Sequence, residues 1–233
     1  MEANPAVLEQ LKLTPPFATL PDSALHGLLR TSRMVRVDTL QTLVSQDSPG
    51  SGLYLMLKGV VRVYIHDPGQ AEVTLAMLGK GDMLGELATV DHGLRTATVE
   101  ALCPVEALFF PQASVAPLLS EHPSFAIDMF GVLSQRLRRA YELQAERSLV
   151  DLRTRVIRRL LDVAGLFGAP AGAGMEVAMP MSQDTFASMA LGRREGVNRE
   201  FASLRRDGHL TGSWKRFVIR DLQALRGLAH LNR

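Results

Sequence analysis

The sequence predicts an α+β chain with an N-terminal β-roll, one long helix and a C-terminal winged helix-turn-helix. Three observations support this prediction. Short apolar runs separated by glycine-bearing turns fill the first part, a heptad repeat of apolar residues follows, and a helix-turn-helix pattern with a basic strand pair ends the chain. We expect the three parts to span residues 1–119, 120–148 and 149–233.

The first part carries the strand and turn signals of a small antiparallel roll or barrel. Its longest apolar stretch is LYLMLKGVVRVYIHDPGQAEVTLAMLGKGDMLGEL, and strand-forming residues recur within it. These residues are Tyr54, Val61, Val63, Tyr64 and Ile65. The DPGQ stretch, Asp67 to Gln70, predicts a turn between two strands. The preceding PDSALHGLLRTS is typical of a helix, which we expect to pack on the roll.

The second part predicts a long helix from about Ser120 to Ser148 with a coiled-coil seam. Seam positions recur every four and three residues, which is the heptad spacing. They are Ala126, Phe130, Leu133, Leu137, Ala140 and Gln144. Alternating charges surround the seam and favour an exposed helix that pairs with a second copy. The alternative is an amphipathic helix packed on its own domain.

The third part begins with a helix that places Leu152, Val156, Leu160 and Val163 on one face. The GAPAGAG stretch after this helix predicts a flexible segment without regular structure. The following MEVAMP predicts a short strand. The final RDLQALRGLAHLNR predicts a last helix, to which we assign no separate function.

A helix-turn-helix is predicted between MEVAMP and the last helix. Ser182 is a suitable N-cap for its first helix, and Gly192 is free to adopt a positive φ in the turn. The second helix is expected from about Arg194 to Asp207, with Val197, Phe201 and Leu204 forming its buried stripe. A hairpin of this kind also occurs in metabolic enzymes, which is the alternative explanation.

The polar face of the second helix carries side chains that suit DNA base edges. These side chains are Arg194, Glu195, Asn198 and Arg199. The next stretch, WKRFVIRD, predicts a wing with a basic tip, and we expect Arg193, Lys215 and Arg216 to contact phosphates. Eight basic residues stand against four acidic ones between Ser182 and Arg220, which suggests a polyanionic partner for this segment. The alternative is a solvated helix face, which the charge count alone slightly favours.

The stretch GELATVDHGLRTATVEAL places an acid and a base near the end of the roll. Glu86 follows a glycine, and Arg95 precedes what the alternation indicates is a half-buried strand. The two residues could form a surface ion pair. They could also form two walls of a pocket for an anionic sugar.

Composition excludes several classes of protein. The single Cys103 rules out an internal disulfide and cannot hold an iron–sulfur cluster, so we expect a reducing compartment. The histidines His26, His66, His92 and His122 show no ligand spacing, so neither haem nor a metal is expected. No secretory signal or membrane span is visible, which predicts a cytoplasmic protein without a membrane partner. The sequence shows no nucleophile–base pair of the kind that would indicate an enzyme, so no enzymatic activity is expected.

The motifs together identify a family. The chain resembles the Crp/Fnr superfamily of bacterial transcription regulators over five stretches of sequence. They are LYLMLKGVVRVYI, LGKGDMLGELATV, RTATVEAL, DLRTRVIRRLLDVA and SQDTFASMALGRREGVNREFASLRRDG. That superfamily comprises the cAMP receptor protein and the fumarate–nitrate regulator. The resemblance implies a cyclic-nucleotide-binding β-roll, a dimerisation helix and a winged helix-turn-helix. It also implies a homodimer on a near-palindromic DNA operator, with RNA polymerase as a further partner.

The resemblance also implies which residues hold a cyclic nucleotide, with cAMP the most expected effector. The family's pocket motif corresponds to Gly85, Glu86, Leu87, Arg95 and Thr96. The glutamate accepts a hydrogen bond from the ribose 2′-hydroxyl, and the arginine pairs with the cyclic phosphate. The places that contact adenine in the cAMP receptor protein correspond to Ala140 and Tyr141, which is a departure because Ala140 lacks a polar side chain.

A second departure lies in the DNA-reading helix. The family carries Thr or Ser at the place of Gly196, so we expect a lost contact and an altered operator there. Three alternatives remain open. A regulator of the same fold could work without a ligand, with Tyr141 filling the pocket. A gas or redox sensor and a nucleotide-switched regulatory subunit of an enzyme are the others.

Overall fold

The computed structural model describes residues 5–66 and 72–230 and confirms the α+β class. The helices are α1 (Pro5–Lys12), α2 (Asp22–Thr31), α3 (Glu86–Asp91), α4 (Gln112–Glu121), α5 (Pro123–Leu149), α6 (Leu152–Phe167), α7 (Gln183–Met189), α8 (Arg194–Arg206) and α9 (Leu222–His230). The strands are β1 (Arg33–Val37), β2 (Thr42–Val44), β3 (Gly52–Lys58), β4 (Val61–Ile65), β5 (Val73–Leu78), β6 (Met83–Leu84), β7 (Thr98–Ala101), β8 (Val105–Pro111), β9 (Gly168–Ala171), β10 (Gly174–Ala178), β11 (Leu210–Ser213) and β12 (Arg216–Ile219). The predicted DPGQ turn lies outside the described residues.

The chain divides into two compact units. One takes in the chain up to Ile65 together with Ala76–Ala140. The other takes in the chain from Tyr141 onward together with His66–Leu75. Across the parts of the chain that the structure describes, no helix is long and apolar enough to cross a lipid bilayer.

Two antiparallel sheets form the predicted roll, with strand orders β1-β8-β3-β6 and β2-β7-β4-β5. Successive side chains on a strand point to opposite faces, so β3 contributes side chains to two hydrophobic cores. Leu53 and Leu55 pack with apolar residues of the surrounding helices, whereas Tyr54 and Met56 pack with residues of the second sheet such as Val99. The predicted helix in PDSALHGLLRTS is confirmed as α2, and it buries three leucines in the first of these cores.

Helix α5 presents two apolar stripes. Phe125 and Met129 are buried against the roll, and Val132 continues this inward stripe. Phe130 and Leu137, which belong to the predicted seam, are 66% and 53% exposed, so the seam is not packed on its own domain. The helix begins at Pro123 rather than near Ser120, because a proline fits the first helical turn and α4 ends just before it.

The second unit combines the sheet β11-β12-β10-β9 with the helices α6 to α9. The buried face of α6 is confirmed, since Val156, Leu160 and Val163 are fully buried. The prediction that GAPAGAG is structureless was wrong. Its first residues form β9, which pairs antiparallel with β10 through a left-handed turn at Gly172. Pro170 is tolerated because β9 is an edge strand.

Candidate functional site

Gly85 makes the tight turn that begins the candidate ligand site of the roll. It ends β6 and starts α3 with φ of 86°, a left-handed conformation that favours glycine. A Cβ at this position would lie 2.3 Å from Nη1 of Arg95 and 3.0 Å from the Gly52 carbonyl oxygen. The backbone and the arginine therefore approach each other at a distance that no side chain would allow.

Arg95 is a buried cation that backbone carbonyls hold in place. Only 4% of the residue is exposed. Its Nη1 donates to the Gly85 carbonyl at 3.0 Å, and its Nη2 donates to the Gly52 carbonyl at 2.6 Å. Burial lowers the pKa of the guanidinium from its ordinary value, and the nearby Tyr54 and Glu86 oppose that shift. Within residues 5–66 and 72–230, no carboxylate forms an ion pair with Arg95.

Glu86 is buried to 1% exposure and pairs with a residue that the sequence analysis did not select. Its Oε1 lies 2.7 Å from Nη1 of Arg136 on α5, and Arg136 also donates to the Met83 carbonyl. The interpretation of Glu86 and Arg95 as a surface ion pair was therefore wrong. Arg136 could have been found from its position, because it follows Val132 of the inward stripe by four residues, about one helical turn.

The second carboxylate oxygen of Glu86 is chemically informative. Oε2 is buried and has no hydrogen-bond partner among the described residues. Such an orphaned acceptor is costly in a folded protein, so it indicates a donor that arrives from outside. We call the group formed by Gly52, Gly85, Glu86, Arg95 and Arg136 the cradle. Its chemistry fits a ligand that carries both an anionic group and a hydroxyl.

The other predicted ligand residues lie around or away from the cradle. Leu87 is 41% exposed, and Thr96 is exposed beside Arg95. Ala140 is exposed and lies about one helical turn beyond Arg136 on α5. Tyr141 is 61% exposed and belongs to the other compact unit.

The helix-turn-helix is built as predicted at its caps and in its core. The Ser182 side chain accepts a hydrogen bond from the Thr185 amide at the start of α7. Phe186 and Phe201 are buried, and the indole of Trp214 in the wing packs edge-on against both rings. The wing is present, but WKRFVIRD supplies only its second strand, β12, because the first strand, β11, lies just before this stretch. The aromatic cluster connects the wing to α7 and α8.

The turn between α7 and α8 differs from the prediction. Leu191, not Gly192, adopts the left-handed conformation, with φ of 52°. Gly192 instead leaves room for Leu152, because a Cβ there would lie 2.6 Å from Leu152 Cδ1 and this side chain would have to shift. Gly196 has the same role, since its Cβ would lie 2.7 Å from Leu152 Cδ2. Gly196 is buried and forms with Gly192 a notch that receives Leu152, and the expected loss of a DNA contact at this position stays a prediction.

The first turns of α6 attach the end of α5 to the helix-turn-helix. Arg155 donates to the Val150 carbonyl at 2.8 Å and to the Ala190 carbonyl at 2.9 Å. Arg153 donates to Asp207 at the end of α8 at 2.6 Å. This arginine holds the pKa of the Asp207 carboxyl below its ordinary value. The geometry of α8 therefore depends on α6 as well as on α7.

The predicted DNA-contacting side chains lie on one exposed surface of α8 and on the wing. Arg193, Arg194, Glu195, Arg199, Lys215 and Arg216 are exposed, and Asn198 is half-buried. We call these residues the reading face. Arg216 lies 3.3 Å from Glu176, and Arg194 lies 3.5 Å from Asp184. Both are exposed ion pairs of low stability, so these arginines can be redirected to phosphates or bases.

Comparisons with known proteins agree with this division of the chain. The profile of the cyclic nucleotide-binding domain family matches residues 34–122, and the Crp-like helix-turn-helix domain matches residues 154–228. A "CRP-like cAMP-activated global transcriptional regulator" of Mycobacterium tuberculosis is 27% identical, over 90% of this chain and 93% of its own. The "Cyclic AMP receptor protein" of Thermus thermophilus is 30% identical, over 70% of this chain and 72% of its own.

Solved structures show the same fold. A CRP-family transcriptional regulator of Thermus thermophilus matches with a TM-score of 0.71 and 26% identity, covering 84% of this chain and 96% of its own. FixK2 from Bradyrhizobium japonicum matches with a TM-score of 0.73 and 21% identity, over the same shares of the two chains. The cradle, the helix-turn-helix and these similarities agree: the chain belongs to the Crp/Fnr superfamily of transcription regulators and is not an enzyme.

Proposed function

We propose that this Crp/Fnr regulator acts as a homodimer on a near-palindromic operator under the control of a cyclic nucleotide, with cAMP as the first candidate. The cradle carries the proposal. A buried arginine stands beside a buried carboxylate whose Oε2 has no partner among the described residues. The two relatives whose names include cAMP or cyclic AMP support the choice of nucleotide.

In this proposal Arg95 holds the cyclic phosphate and Glu86 holds a ribose hydroxyl. A guanidinium has five N–H donors, and the Gly52 and Gly85 carbonyls each take one from Arg95. The remaining donors suit phosphate oxygens. The orphaned Oε2 of Glu86 suits a hydroxyl donor. Leu87 and Thr96 would border the ligand, and Ala140 and Tyr141 would lie near the base.

The homodimer is supported by an exposed apolar stripe on α5. Ile127, Phe130, Leu137 and Tyr141 are 68%, 66%, 53% and 61% exposed, and their spacing follows a heptad. An exposed stripe of this kind is typical of a helix that pairs with a partner. We retain residues 1–119, 120–148 and 149–233 as the ligand-binding, dimerising and DNA-binding parts.

On DNA, each α8 would enter a major groove, with half-sites about 34 Å apart. Arg194, Glu195, Asn198 and Arg199 would contact base edges, with Arg194 and Arg199 recognising guanine. Arg193, Lys215 and Arg216 would contact phosphates. RNA polymerase is the further partner that control of transcription requires, and we assign the protein to the cytoplasm because its DNA lies there.

A second candidate is a regulator of the same fold that needs no ligand. One observation favours it: Arg136 already binds Oε1 of Glu86, and two carbonyls already bind Arg95. The cradle is therefore partly satisfied by its own chain. In this alternative the buried charges are structural, and the amount of protein controls transcription.

Calorimetric titration of the purified protein with cAMP and then with cGMP tests the proposal. We expect binding of cAMP that is lost in Arg95→Gln and kept in Arg62→Gln, because Arg62 is an equally buried arginine of the roll outside the cradle. Thermal unfolding of both variants verifies that they fold. Absence of heat with either nucleotide, in a protein that selects an operator from random DNA, would support the ligand-independent regulator.

A further inference from the structure

The first residue of α7, Gln183, lies between two side chains of the reading face. Its Oε1 accepts from Arg194 Nε at 3.0 Å and from Asn198 Nδ2 at 3.2 Å. Arg194 and Asn198 are one helical turn apart on α8, so a single glutamine oxygen bridges both. Gln183 was not among the residues predicted to contact DNA.

The orientation of both amides follows from the chemistry of arginine. An amide side chain can be turned either way, and its orientation must be assigned from its partners. A guanidinium has donors and no acceptor, so Gln183 must present its oxygen to Arg194. Asn198 contacts the same oxygen and must therefore present its nitrogen. The two lone pairs of Oε1 are then both used.

This arrangement leaves a defined set of groups for DNA. With Nε bonded to Gln183, Arg194 retains its Nη edge, which can donate to O6 and N7 of guanine. The Arg194 side chain is otherwise 54% exposed, and its contact with Asp184 is long, at 3.5 Å. An exposed arginine with only that ion pair would sample many rotamers. The conformational entropy lost when one rotamer is fixed on DNA would then weaken its contact with a base.

We propose that Gln183 is a positioning residue that pre-orders Arg194 and Asn198 and thereby sets base selectivity at the position that Arg194 reads. The inference rests on the proposed DNA-binding function. It assigns to α7 a part in base selectivity and leaves affinity for unrelated DNA to the phosphate contacts.

The test uses the full chain and the operator that the wild type selects from random DNA. Fluorescence anisotropy gives the affinity for this operator, for operators with guanine replaced at each position, and for scrambled DNA. The informative variants are Gln183→Met, which removes the acceptor, and Gln183→Glu, which keeps it. Gln223→Met is the matched control, because Gln223 is an exposed glutamine in the first turn of α9.

We expect Gln183→Met to reduce the guanine preference at the Arg194 position about 3- to 10-fold, with little change on scrambled DNA. Gln183→Glu should retain that preference while it weakens all binding, since its added charge repels phosphate. In an Arg194→Ala background, Gln183→Met should cause little further loss of guanine preference, because the arginine that it positions is already absent.

Two outcomes would overturn the inference separately from the proposed function. In the first, the wild type selects an operator, yet Gln183→Met retains the full guanine preference at the Arg194 position. In the second, the losses in operator affinity caused by Gln183→Met and by Arg194→Ala are additive. Both outcomes leave the DNA-binding function intact. A wild-type protein that selects no sequence would overturn both proposals together.

Discussion

The cradle and the reading face both depend on arginine, but they hold it in opposite ways. Arg95 in the cradle is 4% exposed and bonded to backbone carbonyls across a glycine that tolerates no side chain. Arg194 on the reading face is exposed and bonded mainly to one glutamine oxygen. The first arrangement fixes an arginine by the fold of the chain, whereas the second fixes it by a single hydrogen bond that DNA binding can retain.

This difference separates stability from function. In the cradle, a substitution should change the free energy of unfolding together with ligand binding, because the same contacts serve both. On the reading face, a substitution should change DNA binding while the fold stays intact.

The largest effect is expected for Gly85→Ala. Left-handed backbone strain and displacement of Arg95 together should reduce the free energy of unfolding by about 2–4 kcal/mol. Gly81→Ala is the control, because Gly81 has φ of 90° and a Cβ there would meet no described atom within 4 Å. Urea unfolding measures both variants. Equal losses would mean that the contact with Arg95 contributes nothing.

The second effect is on DNA binding alone. Arg194→Ala should lose about 1–3 kcal/mol of binding free energy on the selected operator, since it removes a base contact. Its free energy of unfolding should change by less than about 0.5 kcal/mol, because the side chain is exposed. Arg226→Ala on the exposed face of α9 is the matched control. Equal losses on operator and scrambled DNA would contradict base reading by Arg194.

The third prediction concerns the notch around Leu152. Alanine is a better helix former than glycine by about 1 kcal/mol, so Gly227→Ala in α9, where no described atom is close, should stabilise the protein. Gly196→Ala should stabilise it less than Gly227→Ala does, because the new methyl group displaces a terminal methyl group of Leu152. Thermal unfolding of the two variants compares the two changes. Equal stabilisation by both would show that Leu152 moves aside freely.

The smallest effect is a dependence on pH. Arg153 lowers the folded-state pKa of Asp207, so this carboxylate stabilises the protein above its unfolded pKa of about 3.9. That stabilisation should be lost as the pH falls through the lowered folded pKa. Unfolding free energies of the wild type and of Asp207→Asn should differ at neutral pH and converge in acid. A constant difference across the whole range would contradict the linkage.

Periodicity and capping residues were sufficient to predict several elements of this fold. The inward face of α6, the Ser182 cap and the stripe of Val197, Phe201 and Leu204 follow local rules that the sequence displays directly. The same rules failed for GAPAGAG, because pairing with β10 decides its structure and composition alone suggests a flexible segment.

Long-range contacts account for what the sequence analysis missed at the sites. Glu86 and Arg95 were selected as a surface ion pair or as two walls of a pocket, but their burial and their partners were not predicted, because those partners lie far away in sequence, on α5 and at Gly52. Gly196 was interpreted as a missing side chain on the DNA surface. Its true neighbour is Leu152, and no local pattern connects these two residues.

The notch also limits how this regulator can be redirected to new promoters. A recognition helix grafted from a relative brings its own residue to position 196, and a side chain there would press on the end of Leu152, which must shift to admit it. A graft of α8 should therefore be paired with a smaller residue at position 152. In this protein, a change of operator choice involves the first turn of α6 as well as α8.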